Sequence, residues 1–169
     1  LRDSPPGQYD VVVAGDLIEH LENPGVFLEY VSAALRPDGV AVITTPNAYY
    51  LDQFLTIVFR GAPDISPEHA VLFDPFTFEQ LVARSRLRVR EFRWLQPSWW
   101  ALCSSKPMAV KVIGKAVHVA TSWIPALRPY LNSDFAAVLE LKRPGDHAFD
   151  PEQSARAVLD FLDKPAAAS

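Results

Sequence analysis

The segment from Tyr9 to Asn47 constrains the fold most, because two apolar runs flank one helical stretch. It reads YDVVVAGDLIEHLENPGVFLEYVSAALRPDGVAVITTPN. Residues 11–13 and 40–43 are β-branched apart from Ala41, which is typical of strands that helices cover on both faces. Both runs are therefore predicted to lie in the middle of a parallel sheet.

The residues between the two runs predict one helix. Asn23 can accept a hydrogen bond from a free backbone amide, and Pro24 suits the first helical position. Residues 36–39 are expected to end the helix. A strand, helix and strand of this length favour a right-handed crossover, which makes the strands parallel. The predicted apolar face of the helix consists of Val26, Phe27, Tyr30, Val31, Ala34 and Leu35.

The carboxyl ends of parallel strands meet at one edge of a sheet, and ligands of open α/β sheets bind outside that edge. The two strand ends therefore mark the predicted ligand site. The residues that follow the strands are Ala14, Gly15 and Asp16 after the first and Thr45, Pro46 and Asn47 after the second.

The stretches YDVVVAGDLIEHLENP and LRPDGVAVITTPN resemble the fourth and fifth strands of class I S-adenosylmethionine-dependent methyltransferases. SPEHAVLFDPFTFEQLVARS resembles the histidine, phenylalanine and helix that follow in members acting on sugars, quinones and other small acceptors. The resemblance covers residues 9–95 well and the last third loosely. It implies a Rossmann-like α/β sheet, S-adenosylmethionine as cofactor, and methyl transfer to a small-molecule acceptor through its oxygen.

That family holds its cofactor with a glycine-rich turn that lies upstream of the resembling stretch. The glycines here stand at 7, 15, 25, 39, 61, 114 and 145, so no G-x-G spacing occurs. We therefore expect a fragment or truncated form that supplies about the last four strands of the seven-stranded fold and is inactive by itself. The alternative is a non-catalytic half-domain that pairs with a partner chain, or with itself, through an open sheet edge. A different nucleotide-binding α/β enzyme is disfavoured, since it too would need a glycine-rich loop.

One domain is expected from 169 residues of which 49% are apolar. Residues 1–145 are assigned to the methyltransferase part, with a lid-like insertion at about 97–131, and 146–169 to a C-terminal helix and tail. Thr77 and Gln80 have capping-box spacing for a helix to about Arg84. Further helices are predicted at 49–60 and 151–163, and strands at 87–95 and 135–141.

Within the insertion, residues 106–123 carry apolar residues at helical spacing with charges between them. Lys111, Lys115 and His118 interrupt the apolar run, so it is not predicted to span a bilayer. A lid over the acceptor is the favoured interpretation, and peripheral membrane contact is the alternative.

The net charge bears on the kind of partner, and the cysteine content bears on the cellular location. A net charge of −4 and a pI near 5.5 argue against a nucleic-acid partner. The single Cys103 cannot form an internal disulfide, which fits a reducing, cytoplasmic location.

Asp16, Glu19 and His20 carry the candidate chemistry. Spacings of three and four place all three on one helical face if the turn after the strand is helical. His20 beside carboxylates can act as a general base. With His69 from the later loop, the same groups can instead bind a divalent cation. A third interpretation is that His20 only lines the pocket.

The arrangement is similar to positions in ubiquinone-pathway O-methyltransferases and small-RNA 2′-O-methyltransferases, where the first residue is normally glutamate. The resemblance implies that Ala14, Gly15 and Asp16 border the cofactor and that Glu19, His20 and His69 face the acceptor. The alternative metal set is Asp16, Glu19, His20 and His69, and it is not favoured because Asp16 is one methylene shorter than glutamate.

Overall fold

The computed structural model describes residues 7–50, 65–95, 132–146 and 150–163, together with 53, 57, 58, 61 and 62. The strands are β1 (Tyr9–Gly15), β2 (Leu35–Pro46), β3 (Leu87–Leu95) and β4 (Asp134–Leu141). The helices are α1 (Pro24–Ala34), α2 (Pro75–Ala83) and α3 (Pro151–Asp163), and a short 3-10 helix spans Ile18–His20.

These strands form one sheet in the order β1-β2-β4-β3. β1 and β2 are parallel, as predicted, and β4 runs antiparallel to both of its neighbours. This arrangement confirms the predicted α/β sheet. It also brings Pro46, at the carboxyl end of β2, opposite Asp134, at the start of β4.

The prediction that both apolar runs lie in the middle of the sheet is wrong for the first run in the described structure. β1 is an edge strand of the described sheet, with β2 as its neighbour. Val11 and Val13 are 55% and 70% exposed. β-branched residues favour a strand whether or not a second strand and a helix cover it, so the sequence pattern did not reveal the open edge.

The core lies between one face of the sheet and the described helices. In β2, buried Ala41, Ile43 and Thr45 alternate with half-buried Val40 and Val42. The buried face joins an apolar cluster with residues of the helices. Phe78 of α2 lies within this cluster and makes edge-to-face contacts with Phe73, Phe92 and Phe135.

Helix α1 begins as predicted, because Asn23 accepts a hydrogen bond from the Val26 amide at 3.1 Å and Pro24 follows it. Its buried face differs from the predicted one. Leu28 is fully buried, whereas Val26 is 44% exposed. The helix packs through 27, 28, 31 and 34, a face rotated slightly from the predicted one.

The capping box of α2 lies three residues earlier than predicted. Asp74 accepts hydrogen bonds from the amides of Phe76 and Thr77, and the Thr77 hydroxyl accepts one from the Asp74 amide. Pro75 therefore takes the first helical position, which favours an aspartate directly before it. Thr77 is thus the third helical residue rather than the cap, and the helix ends at Ala83.

Residues 36–39 form a bulge at the start of β2 rather than a separate turn. Tyr9 pairs with Leu35, whereas Val11 pairs with Val40, so β2 contains extra residues between these two pairs. A Cβ atom on Gly39 would lie 2.8 Å from the Tyr9 carbonyl oxygen. A glycine is therefore needed for the two backbones to approach this closely.

Of the other predicted elements, 87–95 is confirmed as β3 and 135–141 as β4, and 151–163 is confirmed as α3. Within the predicted helix 49–60, positions 53, 57 and 58 are helical, and Tyr49 lies in a turn. The lid-like insertion 97–131, with the helix predicted at 106–123, lies outside the described residues. No helix among the described residues is long and apolar enough to cross a membrane.

Candidate active site

The predicted cofactor edge begins where β1 ends. Ala14 is buried, whereas Gly15 and Asp16 are exposed. Asp16 has a left-handed backbone with φ of 46°. Its amide donates to the Thr44 carbonyl and hydroxyl, both at 3.1 Å, and the Thr44 hydroxyl donates to Asp16 Oδ1 at 3.0 Å. These contacts fix Asp16 to β2 at the carboxyl edge of the sheet.

The prediction that Asp16, Glu19 and His20 share one helical face is wrong. The 3-10 helix begins at Ile18, and the left-handed residue Asp16 lies outside it. Asp16 is held by Thr44, while Glu19 and His20 turn toward other partners. Local spacing predicts a common face only when the intervening backbone is helical, and a left-handed residue breaks that condition.

The Glu19 side chain is buried, with 1% of its surface exposed. The Thr45 hydroxyl, which is fully buried, donates to Glu19 Oε2 at 3.0 Å. Glu19 Oε1 is also buried and has no hydrogen-bond partner among the described residues. A buried carboxylate oxygen without a partner is costly to the folded state, so Oε1 is an atom that a ligand can satisfy.

The loop at 65–72 brings a second histidine to Glu19 and His20. The amides of Ala70 and Val71 donate to the Glu19 carbonyl at 2.8 and 3.1 Å. His20 Nδ1 lies 3.0 Å from the Glu68 carbonyl oxygen. Because a carbonyl only accepts, Nδ1 carries the hydrogen in this bond, and Nε2 of the neutral ring is left as an acceptor.

Glu19, His20 and His69 form a compact cluster. One ligand atom from each residue lies within 4.8 Å of the others, and the two imidazole rings meet edge to face with centroids 4.8 Å apart. Two imidazoles and a carboxylate suit divalent transition metals. The structure thus brings together the three residues predicted to face the acceptor, and Asp16 of the alternative metal set is not a member of this cluster.

A cavity of about 270 Å³ opens beside His69. Its lining is mainly apolar and includes Pro46, Ala48, Ile65 and Leu72. Asn47 also lines it, although the Asn47 side chain bonds within the protein, donating to the Asn132 carbonyl and accepting from the Tyr49 amide. The cavity can receive an apolar group next to the histidine cluster.

Two contributors were missed by sequence reasoning. Thr45 was placed at the ligand edge without a role, yet its hydroxyl holds Glu19. Asp134 lies opposite Pro46 across the sheet, and burial raises its pKa, with the negative charge of Asp16 adding to the rise and a bond from Ser133 opposing it. Neither the bond from Thr45 to Glu19 nor the effect of Asp16 on Asp134 had a sequence signal, because each joins residues that are distant in the chain.

Comparison with known proteins identifies the family. The model of a methyltransferase domain matches residues 2–91, which include the whole Glu19, His20 and His69 cluster. The chain belongs to this methyltransferase domain family. β4 and α3 lie beyond the matched part of the methyltransferase domain.

The curated relatives of this methyltransferase chain include ubiquinone biosynthesis O-methyltransferases. The one from Rhodopseudomonas palustris strain TIE-1 is 30% identical over 92 residues, covering 52% of this chain and 36% of the relative. The one from Bradyrhizobium diazoefficiens is 37% identical over 54 residues, covering 32% and 21%. The match therefore spans little more than a third of the length of the first relative and about a fifth of the second.

A solved structure supports the methyltransferase fold. It is a chain from the complex of the Haloferax volcanii Trm112 methyltransferase activator with a methyltransferase. The match has a TM-score of 0.53 and 12% identity, and it covers 86% of this chain and 59% of that chain.

Proposed function

We propose that this chain takes part in S-adenosylmethionine-dependent methyl transfer to an oxygen atom of a small-molecule acceptor. Membership of the methyltransferase family and the similarity to O-methyltransferases support the reaction class. The observation that carries the proposal is the convergence of Glu19, His20 and His69 beside an apolar cavity at the carboxyl edge of β2.

In this proposal Ala14, Gly15 and Asp16 border the methionine end of the cofactor. They follow β1 at the edge where α/β sheets bind ligands. The sulfonium of the cofactor is already reactive, so the main task of the protein is to hold the acceptor oxygen in line with the methyl group. The Thr44 contacts that fix Asp16 contribute to this rigidity.

The acceptor side is assigned to the histidine cluster. His20 Nε2 is the nitrogen available to take the acceptor proton, because Nδ1 is held by the Glu68 carbonyl. His69 lies in edge contact with that ring and also lines the cavity. An acceptor whose apolar body fills the cavity would present its hydroxyl group to these rings.

The second candidate role for the cluster is to bind a divalent cation, and Glu19 Oε1 favours it. That oxygen is buried without a described partner, and the nearby imidazoles supply the other donors, so the residues fit a cation. Glu19, His20 and His69 would hold it. A bound cation would lower the pKa of the acceptor hydroxyl and orient it.

We also propose that the isolated chain does not turn over substrate, since its sequence contains no G-x-G turn to bring the backbone close to the cofactor. The alternative is a non-catalytic half-domain, and the exposed edge of β1 favours it. Methyl transfer by the isolated chain would contradict the prediction of inactivity.

The test is titration of the folded, isotope-labelled chain with S-adenosylhomocysteine, followed by amide resonances. We expect even weak binding to shift the amides of Gly15 and Asp16 while leaving those of Glu152 in α3 unchanged. A folded chain whose edge amides do not respond at millimolar ligand would contradict the cofactor role of this edge.

A further inference from the structure

Thr45 and Glu19 form a polar pair inside an apolar core. Thr45 is 0% exposed and Glu19 is 1% exposed, and 3.0 Å separates the hydroxyl from Oε2. The neighbouring residues Ile18 and Ile43 are also buried. A buried polar pair in such surroundings is costly unless both partners are fully satisfied, and one carboxylate oxygen has no partner among the described residues.

The position of Thr45 restricts the Glu19 carboxylate. Thr45 lies near the carboxyl end of β2, where pairing with Phe135 of β4 fixes its backbone. Its β-branched side chain is stiff at χ1, so the hydroxyl has few alternative directions. The carboxylate is therefore anchored through Oε2, which leaves Oε1 as the oxygen without a partner on a residue that clusters with His20 and His69.

We infer that Thr45 is a positioning residue for a cation site formed by Glu19, His20 and His69. This inference rests on the proposed cation role of the cluster. Thr45 does not touch the cation. Its hydroxyl holds one carboxylate oxygen and thereby presents the other to the cation, as hydrogen-bonded partners of metal ligands commonly do.

A purely structural role for Thr45 makes a different prediction. If the hydroxyl only satisfies a buried group, its removal changes stability and leaves cation affinity unchanged. If it positions Glu19, its removal weakens cation binding even in a variant that remains folded. T45V removes the hydroxyl with little change of shape, whereas T45S keeps a hydroxyl at this position.

The experiment is titration of the purified chain with Mn²⁺, with free Mn²⁺ measured by electron paramagnetic resonance. We expect T45V to bind Mn²⁺ about 10-fold more weakly or worse, and T45S, which keeps the hydroxyl but not the β-branch, to bind more tightly than T45V. T44V is the matched control, because the adjacent hydroxyl bonds Asp16 rather than Glu19. It should keep the wild-type affinity.

Wild-type affinity in folded T45V would overturn the inference. If T45V fails to fold, T45A makes the same test, and wild-type affinity in T45A would overturn it equally. Absence of Mn²⁺ binding by the wild-type chain would also overturn it. Titration of the same preparation with S-adenosylhomocysteine tells whether the proposed methyl-transfer role fails as well, since that ligand is expected to contact residues 14–16 rather than the cluster.

Discussion

The Glu19 carbonyl oxygen accepts a hydrogen bond from the Ala70 amide at 2.8 Å. Together with the bond from Val71, it ties the loop at 65–72 to the 3-10 helix and sets His69 beside His20. Glu19 therefore serves the cluster twice, through its backbone by holding the loop and through its side chain by supplying an oxygen.

Glu19→Gln should separate stability from cation binding. The new amide group would keep an acceptor for Thr45 and remove a buried charge, so we expect the unfolding free energy to stay level or rise by about 1 kcal/mol. Mn²⁺ affinity should fall by at least about tenfold. Denaturant unfolding and Mn²⁺ titration measure the two effects. E22Q, which alters an exposed glutamate nearby, is the control and should change neither.

His69→Ala tests whether the loop contributes a ligand or only closes the cavity. Because one of three donors is lost, we expect Mn²⁺ affinity to fall by at least about tenfold. I65V changes another residue of the same cavity wall and should leave the affinity unchanged. Wild-type Mn²⁺ affinity in H69A would mean that His69 is not a ligand.

Gly39→Ala should destabilise the chain. The new methyl group would lie 2.8 Å from the Tyr9 carbonyl oxygen and 3.1 Å from that of Arg36, so the backbone must shift. A cost of about 1–3 kcal/mol is expected from such overpacking. Gly25→Ala in the first turn of α1 is the control, because its Cβ would meet only Asn23 Oδ1 at an ordinary contact distance of 3.4 Å, and it should not destabilise the chain. Thermal or denaturant unfolding of the two variants that shows equal stability would contradict the close approach at Gly39.

Asp134→Asn should give a pH-dependent gain in stability. Burial raises the folded-state pKa of Asp134 above its unfolded value, so the neutral carboxyl is favoured in the folded chain. Ionisation then opposes folding as pH rises through the unfolded and folded pKa values. Compared with the wild type, D134N should therefore gain stability between about pH 4 and neutral pH.

Denaturant unfolding of D134N and the wild type across that pH range measures the trend. Asp16→Asn removes a nearby negative charge that also raises the pKa of Asp134. D16N should therefore lose less stability than the wild type as pH rises. A stability difference between D134N and the wild type that does not vary with pH would contradict the raised pKa.

The sequence predicted the elements whose signals are local. The Asn23-Pro24 pair marked the start of α1, and the β-branched runs marked β1 and β2. It did not predict where Asp16 points, because one left-handed residue redirects the chain and the residue that holds it is the distant Thr44. The sequence predicted which residues form the cluster but not their geometry. His69 is set beside His20 by hydrogen bonds from the loop amides of Ala70 and Val71 to the Glu19 carbonyl.

The role of Thr45 was hidden for a related reason. Threonine is common in strands, so a threonine in β2 gives no hint that its hydroxyl faces a buried carboxylate. The edge position of β1 did not follow from its valines either, although the half-domain alternative expected an open sheet edge. Valines predict a strand, and they do not tell whether a neighbouring strand covers it.

The exposed valines of β1 have a practical consequence for handling the chain. Val11 and Val13 stand on an edge strand of the described sheet, and such an edge templates the addition of another strand. We expect the purified chain to aggregate by intermolecular strand addition at this edge. High concentration and mild heating should promote this aggregation. Val13→Lys should therefore raise the concentration at which the sample turns turbid.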